Sequence, residues 1–591
     1  MIEDGGILPE AAARATVARD ELVAADGFLW WLESDPDRGG TKRLVRSPPA
    51  GPAAPVTPPS LAVGGSLHAY GGGSFAVADG AVWFLGPGDA VLLQPLGSDP
   101  VVLLEGDGWA YGDLTPGPDG RLLAVRGNAE RDEIVAVAED GRVEVLVGSS
   151  GFLGHPRAAG DRLAFLEWDR DRMPWDGTRL MLAQTGAGHP PLPVAGGATE
   201  SVVQPTWGPD GQLHFLSDRT GWWNLYRLAD TGEVEAVAPL DADCAPAPWE
   251  GGYRSYALLP SGEAVLTVTD GISSELLVVG GDGRRRRIGT DLSSVKPYVA
   301  VLDSSVVVIG STPTSAPALR ACDLDGRSDA VPFPAAPPAP TPEPWHPLPP
   351  SVESVLVAGA EVRYLLHLPR ATGPVPTLVR AHPGPTDGVP LRLDWSVQYF
   401  VSHGFAVAEP LYRGSTGRGR SFRKQLDRRW GELDVDDCTA VAEQLVVRGT
   451  ARADAVFISG ASAGGYTALR SACRPGPFVA ATAVSAIIAP ERWERSVPAW
   501  QQPHAAALRG PAGAVRPERV RCPVLVVHGS DDTITSAEDA MEFGAALAGR
   551  GAGETLLLDG GDHYLSDPRH RAAALAAELR FYGTVVPTLT R

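Results

Sequence analysis

The chain has few cysteines, very few lysines and no long apolar run. Its cysteines are scattered and odd in number: Cys244, Cys322, Cys438, Cys473 and Cys522. This pattern favours reduced thiols in a cytoplasm over a disulfide framework. No stretch approaches the roughly 20 apolar residues of a membrane helix, and the acidic N-terminal segment lacks the apolar centre of a secretory signal. We therefore expect a cytoplasmic protein that does not enter a membrane.

An excess of positive charge is also missing, since the formal net charge is -20. Binding of nucleic acid would need a basic face. The one basic run, Arg284–Arg287, follows a turn and is interpreted as a solvated strand edge. No cysteine and histidine cluster has zinc-ligand spacing, and no phosphate-binding P-loop motif occurs. The sequence thus predicts no metal, no cofactor and no nucleic acid partner.

A chain of 591 residues is too long for one hydrophobic core, so two or more domains are expected. The clearest boundary is the proline-rich segment 331–350, VPFPAAPPAPTPEPWHPLPP. Proline at this density excludes helix and favours an extended, semi-rigid connector. The sequence therefore divides into a domain at 1–330, with a short N-terminal segment, a linker at 331–350 and a domain at 351–591.

The first domain reads as short strands separated by turns. Segments such as DGFLWWLES, GRLLAVRG and GQLHFLSD are rich in aromatic or branched residues and follow Gly or Asp turn signals. No long amphipathic helix interrupts them, which indicates antiparallel sheets. Their recurrence at roughly 40–45 residues matches propeller blades, and about 310 residues at that spacing make about seven blades. A large β-sandwich is the alternative.

The second domain alternates strands with helices. Apolar strands such as AVFISG, PVLVVHG and ETLLLDG are separated by helical stretches such as DVDDCTAVAEQLVV. This alternation predicts a doubly wound, mostly parallel sheet, as in the α/β-hydrolase fold.

A G-x-S-x-G motif marks the candidate nucleophile. Gly460-Ala461-Ser462-Ala463-Gly464 follows a predicted strand and precedes a predicted helix, the setting that this motif requires. The serine must project from a sharp turn, and the helix N-terminus beyond it faces developing negative charge. A turn of small residues that packs helix on strand is the alternative.

A nucleophilic serine needs a base, and the base needs an orienting carboxylate. His563 follows the last predicted strand and precedes the last helix, and His528 is interpreted as a brace for the neighbouring loop. From position alone, three aspartates compete as the orienting carboxylate: Asp531, Asp532 and Asp562.

Several segments resemble the prolyl oligopeptidase family of serine peptidases, above all its acylaminoacyl-peptidase and dipeptidyl-aminopeptidase-like branch. The resemblance covers nearly the whole chain. Its most specific segments are YGGG at 70–73, MPWDGT at 173–178, SDRTGWWNLY at 217–226, YRGSTG at 412–417, WGELDVDD at 430–437 and SAGGY at 462–466.

The resemblance implies roles for individual residues. The family's H-G-x-x-D segment falls on 528–532, so its catalytic aspartate is Asp532, with Ser462 and His563 as the other triad members. Its oxyanion loop, H-G-G-P, falls on 382–385 and implies the Gly384 N–H as a donor beside the Ala463 N–H. Substrate contacts are predicted for His382, Tyr412 and Tyr466.

This chain departs from the family pattern at three places. Pro383 replaces a glycine of the oxyanion loop and so removes one N–H. The stretch between Ser485 and Cys522, which usually shapes the substrate pocket, is shorter. Tyr564 follows His563 where the family tends to have glycine.

Together these features predict a two-domain serine peptidase that acts on short peptides or small amides, with the propeller restricting substrate size. Two alternatives remain: an esterase or amidase of a small acylated metabolite, and a catalytically silent propeller scaffold. Glu167, Asp169 and Asp171 are candidates for holding a substrate amine, with solvated loop carboxylates as the alternative. The sequence leaves a homo-oligomer open.

Overall fold

The computed structural model describes residues 6–49, 51–185, 190–303, 305–324, 331–333, 341–342, 345–510 and 513–589. Within these ranges the strands form seven four-stranded antiparallel sheets and one eight-stranded mixed sheet. The expected seven-bladed propeller followed by an α/β-hydrolase domain is confirmed. Residues 334–340 and 343–344 of the proline-rich segment lie outside the described residues.

Each blade is one sheet of four consecutive strands. Blade one contains β1 (Arg19–Ala25), β2 (Phe28–Asp35), β3 (Thr41–Ser47) and β4 (Ala54–Pro55), and blade two contains β5 (Phe75–Ala78), β6 (Ala81–Leu85), β7 (Val91–Pro95) and β8 (Val101–Leu104). Blade three contains β9 (Ala110–Pro116), β10 (Leu122–Gly127), β11 (Asp132–Val137) and β12 (Val143–Ser149). Blade four contains β13 (Phe152–Ala159), β14 (Arg162–Trp168), β15 (Arg179–Gln184) and β16 (Leu192–Gly196).

Blades five to seven complete the ring. They contain β17 (Val202–Trp207), β18 (Leu213–Ser217), β19 (Asn224–Leu228) and β20 (Val234–Ala236); β21 (Tyr256–Leu258), β22 (Ala264–Thr269), β23 (Ser274–Val279) and β24 (Arg285–Ile288); and β25 (Ser294–Leu302), β26 (Ser305–Thr312), β27 (Ser315–Asp323) and β28 (Val331–Pro332).

Polar side chains from the innermost strands tie neighbouring blades together. Glu21 accepts hydrogen bonds from the N–H and hydroxyl of Ser74 in the next blade, at 2.6 and 2.7 Å. Between blades seven and one, the Lys296 ammonium lies 2.6 Å from Asp20 Oδ1. Within the described residues, the first and last blades share no strand. The propeller ring is therefore closed between these two blades by side-chain contacts.

The hydrolase domain is built on the eight-stranded sheet, in the order β29-β30-β32-β31-β33-β34-β35-β36. The six strands from β31 to β36 are parallel, and β30 is antiparallel to its neighbours. Their bounds are β29 (Ser351–Val357), β30 (Ala360–His367), β31 (Val375–Ala381), β32 (Ala406–Leu411), β33 (Ala451–Ala461), β34 (Ala480–Val484), β35 (Val524–Gly529) and β36 (Gly553–Leu558).

Helices cover both faces of this sheet. They are α1 (Pro9–Arg14), α2 (Trp395–Ser402), α3 (Gly419–Arg423), α4 (Leu433–Val447), α5 (Ala463–Ala472), α6 (Pro490–Ser496), α7 (Gln502–Leu508), α8 (Ala537–Ala548) and α9 (Pro568–Val585). One core lies under α4, α5 and α8, and the other under α2 and α9. Among the described helices, none combines the length and the apolar character needed to cross a bilayer.

Helix α1 packs on the hydrolase domain rather than on the propeller. Ile7 and Ala12 are buried in the same core as Phe400 and Tyr582, and the Ile7 N–H donates to Ser402 Oγ at 3.0 Å. The N-terminal segment was expected to accompany the propeller. The structure differs because apolar residues of α1 complete the core beneath α2 and α9.

A buried ion-pair cluster joins the two domains. Helix α3 of the hydrolase domain brings Arg420 and Arg423 to Asp218 of blade five, at 2.6 and 3.1 Å. Asp218 and Arg423 are almost fully buried. Asp243, also from the propeller, accepts a hydrogen bond from the Gly419 N–H at 2.9 Å. The propeller is therefore held at α3 by charges that solvent does not screen.

Replacing Asp218 should destabilise the protein strongly. In Asp218→Asn, two arginines lose their counter-ion in a buried site, and such a loss costs about 3–5 kcal/mol. Chemical denaturation would measure the change. The matched control is Asp140→Asn, whose ion pair with Arg142 is largely exposed and whose loss is expected to matter by less than about 0.5 kcal/mol. Equal stability of the two variants would contradict the role given to Asp218.

Candidate active site

Ser462 occupies a strained turn between β33 and α5. Its backbone has φ 52° and ψ -117°, a region that non-glycine residues rarely adopt and that costs of order 1–3 kcal/mol. The surroundings impose this conformation. A Cβ at Gly464 would collide with the Ala381 carbonyl, and one at Gly465 would come within 2.6 Å of Ala486 Cβ. The small residues of the motif thus let the serine turn pack directly against β31.

The structure brings together the three residues that the sequence singled out. Ser462 Oγ lies 3.2 Å from His563 Nε2, and His563 Nδ1 lies 2.8 Å from Asp532 Oδ2. Asp532 follows β35 and His563 follows β36, so both come from the carboxyl edge of the parallel strands. With Nδ1 donating to the carboxylate, Nε2 is free to accept the serine proton.

Asp532 is held ionised by its hydrogen bonds. Oδ1 accepts the N–H groups of Ile534 and Thr535 at 2.8 and 2.9 Å, and Oδ2 accepts the Thr535 hydroxyl at 2.6 Å. Burial by itself raises the pKa of Asp532, but the hydrogen bonds and charge of His563 and the bonds from Thr535 outweigh it, and the pKa falls below its ordinary value.

The competing residues have other partners. Asp531 is exposed and accepts from the Ser530 hydroxyl at 2.8 Å, and Asp562 accepts the Ser566 N–H at 2.7 Å. His528 is buried behind the loop, where its Nε2 lies 3.4 Å from both the Thr535 carbonyl oxygen and Asp532 Oδ2. Burial lowers the pKa of His528, so it stays neutral and braces this loop.

The two expected oxyanion donors are not both available in this structure. Gly384 lines the cavity beside Ser462. The Ala463 N–H, however, donates a hydrogen bond to the Pro383 carbonyl oxygen at 3.0 Å. The oxyanion loop was expected to supply the Gly384 N–H as a second donor. In this structure it instead supplies the Pro383 carbonyl oxygen as an acceptor for the Ala463 N–H.

His382, Tyr412 and Tyr466 do not reach the substrate cavity, which corrects the expectation that they contact substrate. All three are buried and lie outside its lining. The His382 and Tyr412 rings stack on each other with centroids 3.9 Å apart, and Tyr466 packs on Trp430 at 4.4 Å. These side chains support the catalytic loops from behind.

The cavity at Ser462 has a volume of about 460 Å³ and is lined by both domains. The propeller contributes aromatic and acidic side chains: Tyr70, Trp249, Glu250 and Tyr253. The hydrolase domain contributes a mostly apolar wall around α6 and α7: Ile487, Trp493, Gln501, His504 and Leu508. Burial lowers the pKa of His504 to about 4, so this wall carries no positive charge from histidine at neutral pH.

The sequence analysis missed three acidic residues that line this cavity, Glu250, Asp387 and Glu578. The Glu250 carboxylate has no hydrogen bond or ion pair within the described parts of the chain, and burial raises its pKa to about 7. Asp387, in the oxyanion loop, accepts the Gly388 N–H at 2.7 Å, and burial raises its pKa as well. Glu250 sits in the segment PAPWEGGY, whose aromatic residues at a domain junction were the available signal.

The carboxylates that were expected to bind an amine lie elsewhere. Asp169 and Glu167 pair with Arg179 at 2.9 and 3.4 Å, and Asp171 pairs with Arg172 at 3.0 Å. None of the three lines the cavity at Ser462. Their charges are already neutralised by neighbouring arginines.

These features define a serine hydrolase of the α/β-hydrolase fold: a serine in a tight strand–turn–helix motif, a hydrogen-bonded Ser–His–Asp triad, and a parallel sheet that carries the three residues in the sequence order Ser, Asp, His. The comparison with protein families makes the class more specific. Residues 391–587 match the family model described as the prolyl oligopeptidase family. The chain carries a prolyl oligopeptidase family domain.

Several solved structures are similar over nearly the whole chain. A Mycobacterium tuberculosis puromycin-hydrolyzing peptidase superposes with a TM-score of 0.90 at 27% sequence identity, covering 98% of this chain and 96% of that one. Both domains and their arrangement are therefore shared with that protein.

Curated relatives match over a shorter stretch. Dipeptidyl aminopeptidase BIII of Pseudoxanthomonas mexicana is 32% identical over 100 residues, and acylamino-acid-releasing enzyme 1 of Oryza sativa subsp. japonica is 33% identical over 109 residues. These matches cover 17% and 18% of this chain and 14% of the length of each relative. The two names differ in whether the substrate N-terminus is free or acylated.

Asp532→Asn should slow turnover far more than Asp531→Asn. Asparagine preserves the shape but removes the charge that stabilises the imidazolium, which costs about 10⁴-fold in kcat in the chymotrypsin-type triad. The Asp531 side chain bonds only to Ser530 among the described residues, so its replacement is expected to change kcat by less than about 3-fold. Steady-state kinetics of both variants would decide, and a reversed order would contradict the geometry.

Proposed function

We propose that the protein is a serine aminopeptidase that releases N-terminal residues from short peptides and small aminoacyl amides. The observation that carries this proposal is the Ser462–His563–Asp532 chain at the floor of a cavity that also holds Glu250. The triad performs the reaction. Glu250 and Asp387, here called the acidic roof of the cavity, select the substrate.

The reaction proceeds through an acyl-enzyme. His563 Nε2 takes the Ser462 proton while Oγ attacks the amide carbonyl carbon, which forms a tetrahedral oxyanion. The imidazolium, stabilised by Asp532, then gives its proton to the leaving amine as the C–N bond breaks. Water, deprotonated by His563, attacks the ester, and Ser462 leaves with the proton.

The apolar wall suggests the side chain that this site prefers. Ile487, Trp493 and Leu508 line the cavity that contains Ser462, and all three are buried. Covering such a wall with a large apolar side chain removes more apolar surface from water than covering it with a small polar one. We therefore assign this wall to an apolar or aromatic N-terminal residue.

The acidic roof favours a free amine over an acylated one. Glu250 and Asp387 make no ion pair among the described residues, and burial penalises their charged forms. An ammonium group would offset that cost by pairing with the half-buried Glu250 carboxylate, whereas an N-acyl group would leave it with only the charges of Lys42 and Lys296, neither of which forms an ion pair with it. Of the activities named for similar proteins, aminopeptidase fits this roof better than release of acylamino acids.

The propeller also supports a limit on substrate size. Trp249 and Trp175 of the propeller contact the His504 ring of α7, with centroids 5.3 and 5.1 Å apart. Together with the α3 ion pairs, this contact places the propeller over the cavity. A folded protein could not reach Ser462 past such a cover, whereas a short extended chain could.

A panel of chromogenic amides tests the proposal. It contains aminoacyl, dipeptidyl and N-acetyl-aminoacyl amides, puromycin, the corresponding esters, peptides of rising length and unfolded casein. We expect the highest kcat/KM for short substrates with a free amine and an apolar N-terminal residue. The N-acetyl amides should be poorer by at least 10-fold, about 1.4 kcal/mol of lost binding to the transition state.

Ser462→Ala is the control for this panel. It should lower kcat by roughly 10⁴–10⁶-fold without a change in melting temperature, because the small side chain fits the turn. A fluorophosphonate probe should label the wild-type chain at Ser462 and leave the variant unlabelled. Preference for acylated amides, or casein cleaved as efficiently as short peptides, would count against the substrate class while leaving the triad in place.

Glu250→Gln should abolish the preference for a free amine. The Glu250 carboxylate, with a pKa of about 7, is mostly ionised above that pH and mostly protonated below it. The α-amine of a substrate is mostly charged below a pH of about 8. KM for free-amine substrates should therefore rise as the pH falls below 7. The variant should raise KM at pH 7.5 by about 10-fold, change kcat little and remove that pH dependence.

Glu167→Gln is the matched control for Glu250→Gln. Glu167 pairs with Arg179 outside the cavity, so its replacement should leave KM and its pH dependence unchanged. A wild-type KM for free-amine substrates in the Glu250→Gln variant would refute the assignment of the amine site.

A further inference from the structure

The Pro383 carbonyl oxygen occupies the place where a substrate oxygen would have to sit. It accepts the Ala463 N–H at 3.0 Å, and this N–H is the donor next to the nucleophile that stabilises an oxyanion in such hydrolases. The resting site thus satisfies its own donor with its own carbonyl. A substrate carbonyl cannot bind there until the Pro383 oxygen leaves.

The same contact directs the Gly384 N–H away from the site. In a trans peptide, the C=O and the following N–H point in opposite directions. Since the Pro383 oxygen faces Ala463, the Gly384 N–H of that peptide faces the other way. One rotation of this single peptide plane would therefore remove the acceptor and present the second donor.

The peptides on both sides are held by one hydroxyl group. Tyr412 Oη lies 3.0 Å from the His382 carbonyl oxygen and 3.3 Å from the Gly384 carbonyl oxygen, so that its single proton is shared between the two acceptors. Tyr412 is fully buried, and burial raises its pKa far above the ordinary value, so the hydroxyl remains a donor. The His382 ring, stacked on Tyr412, is fixed in turn by Ser415 Oγ at 2.8 Å from its Nε2.

We propose that Tyr412 is a positioning residue that anchors both ends of the oxyanion loop while the Pro383–Gly384 peptide rotates between them to complete the oxyanion hole. The rotation turns the Pro383 oxygen out and the Gly384 N–H in, so that two donors face the substrate oxygen. This inference rests on the proposed function, because it concerns the tetrahedral intermediate formed at Ser462.

The residue types at this peptide suit such a rotation. A peptide plane turns by opposite changes in ψ of the preceding residue and φ of the following one. The Pro383 ring restricts φ but leaves ψ free. Gly384 has a φ outside the left-handed region in this structure, and glycine, unlike other residues, tolerates φ values on both sides of such a rotation.

Gly384→Ala tests the rotation directly. Alanine can adopt the backbone of the resting loop but resists the left-handed one, so the variant should stay in the resting state. We expect kcat to fall at least about 10²-fold, as when one oxyanion donor is lost. A fluorophosphonate should still label Ser462 completely, but more slowly. The new Cβ would lie 3.0 Å from Asp387 Cβ in an exposed loop, and a melting curve checks that the fold persists.

Tyr412→Phe tests the anchor, with Tyr364→Phe as its control. Tyr364 is equally buried in the same core but donates to Gln444 Oε1 of α4, at 2.7 Å, rather than to the oxyanion loop. Tyr412→Phe should lower kcat about 10-fold with KM within about 2-fold, and weaken a substrate-like boronic acid by the factor lost in kcat/KM. Tyr364→Phe should lose comparable stability but no activity. Equal activities of the two variants would overturn the role of Tyr412.

A crystal structure with the boronic acid bound to Ser462 Oγ gives a third measurement. The Gly384 N–H should contact a boronate oxygen, with the Pro383 oxygen turned away from Ala463. If the Pro383 to Ala463 hydrogen bond persists, or if Gly384→Ala keeps kcat within about 3-fold, the rotation is refuted. Neither result would touch the proposed function, which fails instead if Ser462→Ala retains activity.

Discussion

The close approach of β31 and β33 is the constraint on which the active site depends. These two strands are neighbours in the sheet, so the loop after Ala381 and the turn at Ser462 meet at the same edge. They can touch only because a Cβ is missing at Gly464, which faces the Ala381 and His382 carbonyls. Nucleophile, oxyanion loop and cavity floor all follow from this contact.

That contact also explains why the serine turn and the oxyanion loop can hydrogen-bond to each other. Two backbone segments packed without side chains between them place carbonyl oxygens within reach of N–H groups, and buried groups of this kind pair whenever they can. In the unliganded cavity the Ala463 N–H therefore takes the Pro383 oxygen as its partner. A backbone N–H that is positioned to bind an oxyanion is costly to leave unpaired, so it pairs with another acceptor that lies within reach.

The carboxylates of the molecule divide into those that have partners and those that do not. Asp532 and Asp218 are buried, and each is surrounded by donors. Glu250 is half-buried and faces the cavity without a hydrogen-bond donor among the described residues, so its pKa rises while that of Asp532 falls. Loss of water around a carboxylate thus leaves a permanent charge where donors replace the water and a titratable group where they do not.

Much of the architecture could be predicted from the sequence because its signals are local. Strand and turn periodicity predicted about seven blades, and the strand–turn–helix setting of Ser462 identified the nucleophile motif. The linker predicted at 331–350 from proline density stays a prediction, and its first two residues form β28 of blade seven. The position of His563 after a late strand identified the base, and the resemblance of 528–532 to the H-G-x-x-D segment selected Asp532 among three aspartates. The structure places His563 in hydrogen-bond contact with both Asp532 and Ser462.

The remaining features depend on residues that are far apart in the chain. Glu250 reaches the Ser462 cavity because α3 and the propeller are joined through Asp218. Helix α1 lies on the hydrolase core, more than 380 residues from its partner Ser402. Tyr412 supports a loop rather than a substrate because its hydroxyl meets carbonyls from a neighbouring strand end. Local patterns determined the elements and the triad motifs, whereas packing between distant segments decided which side chains face the substrate.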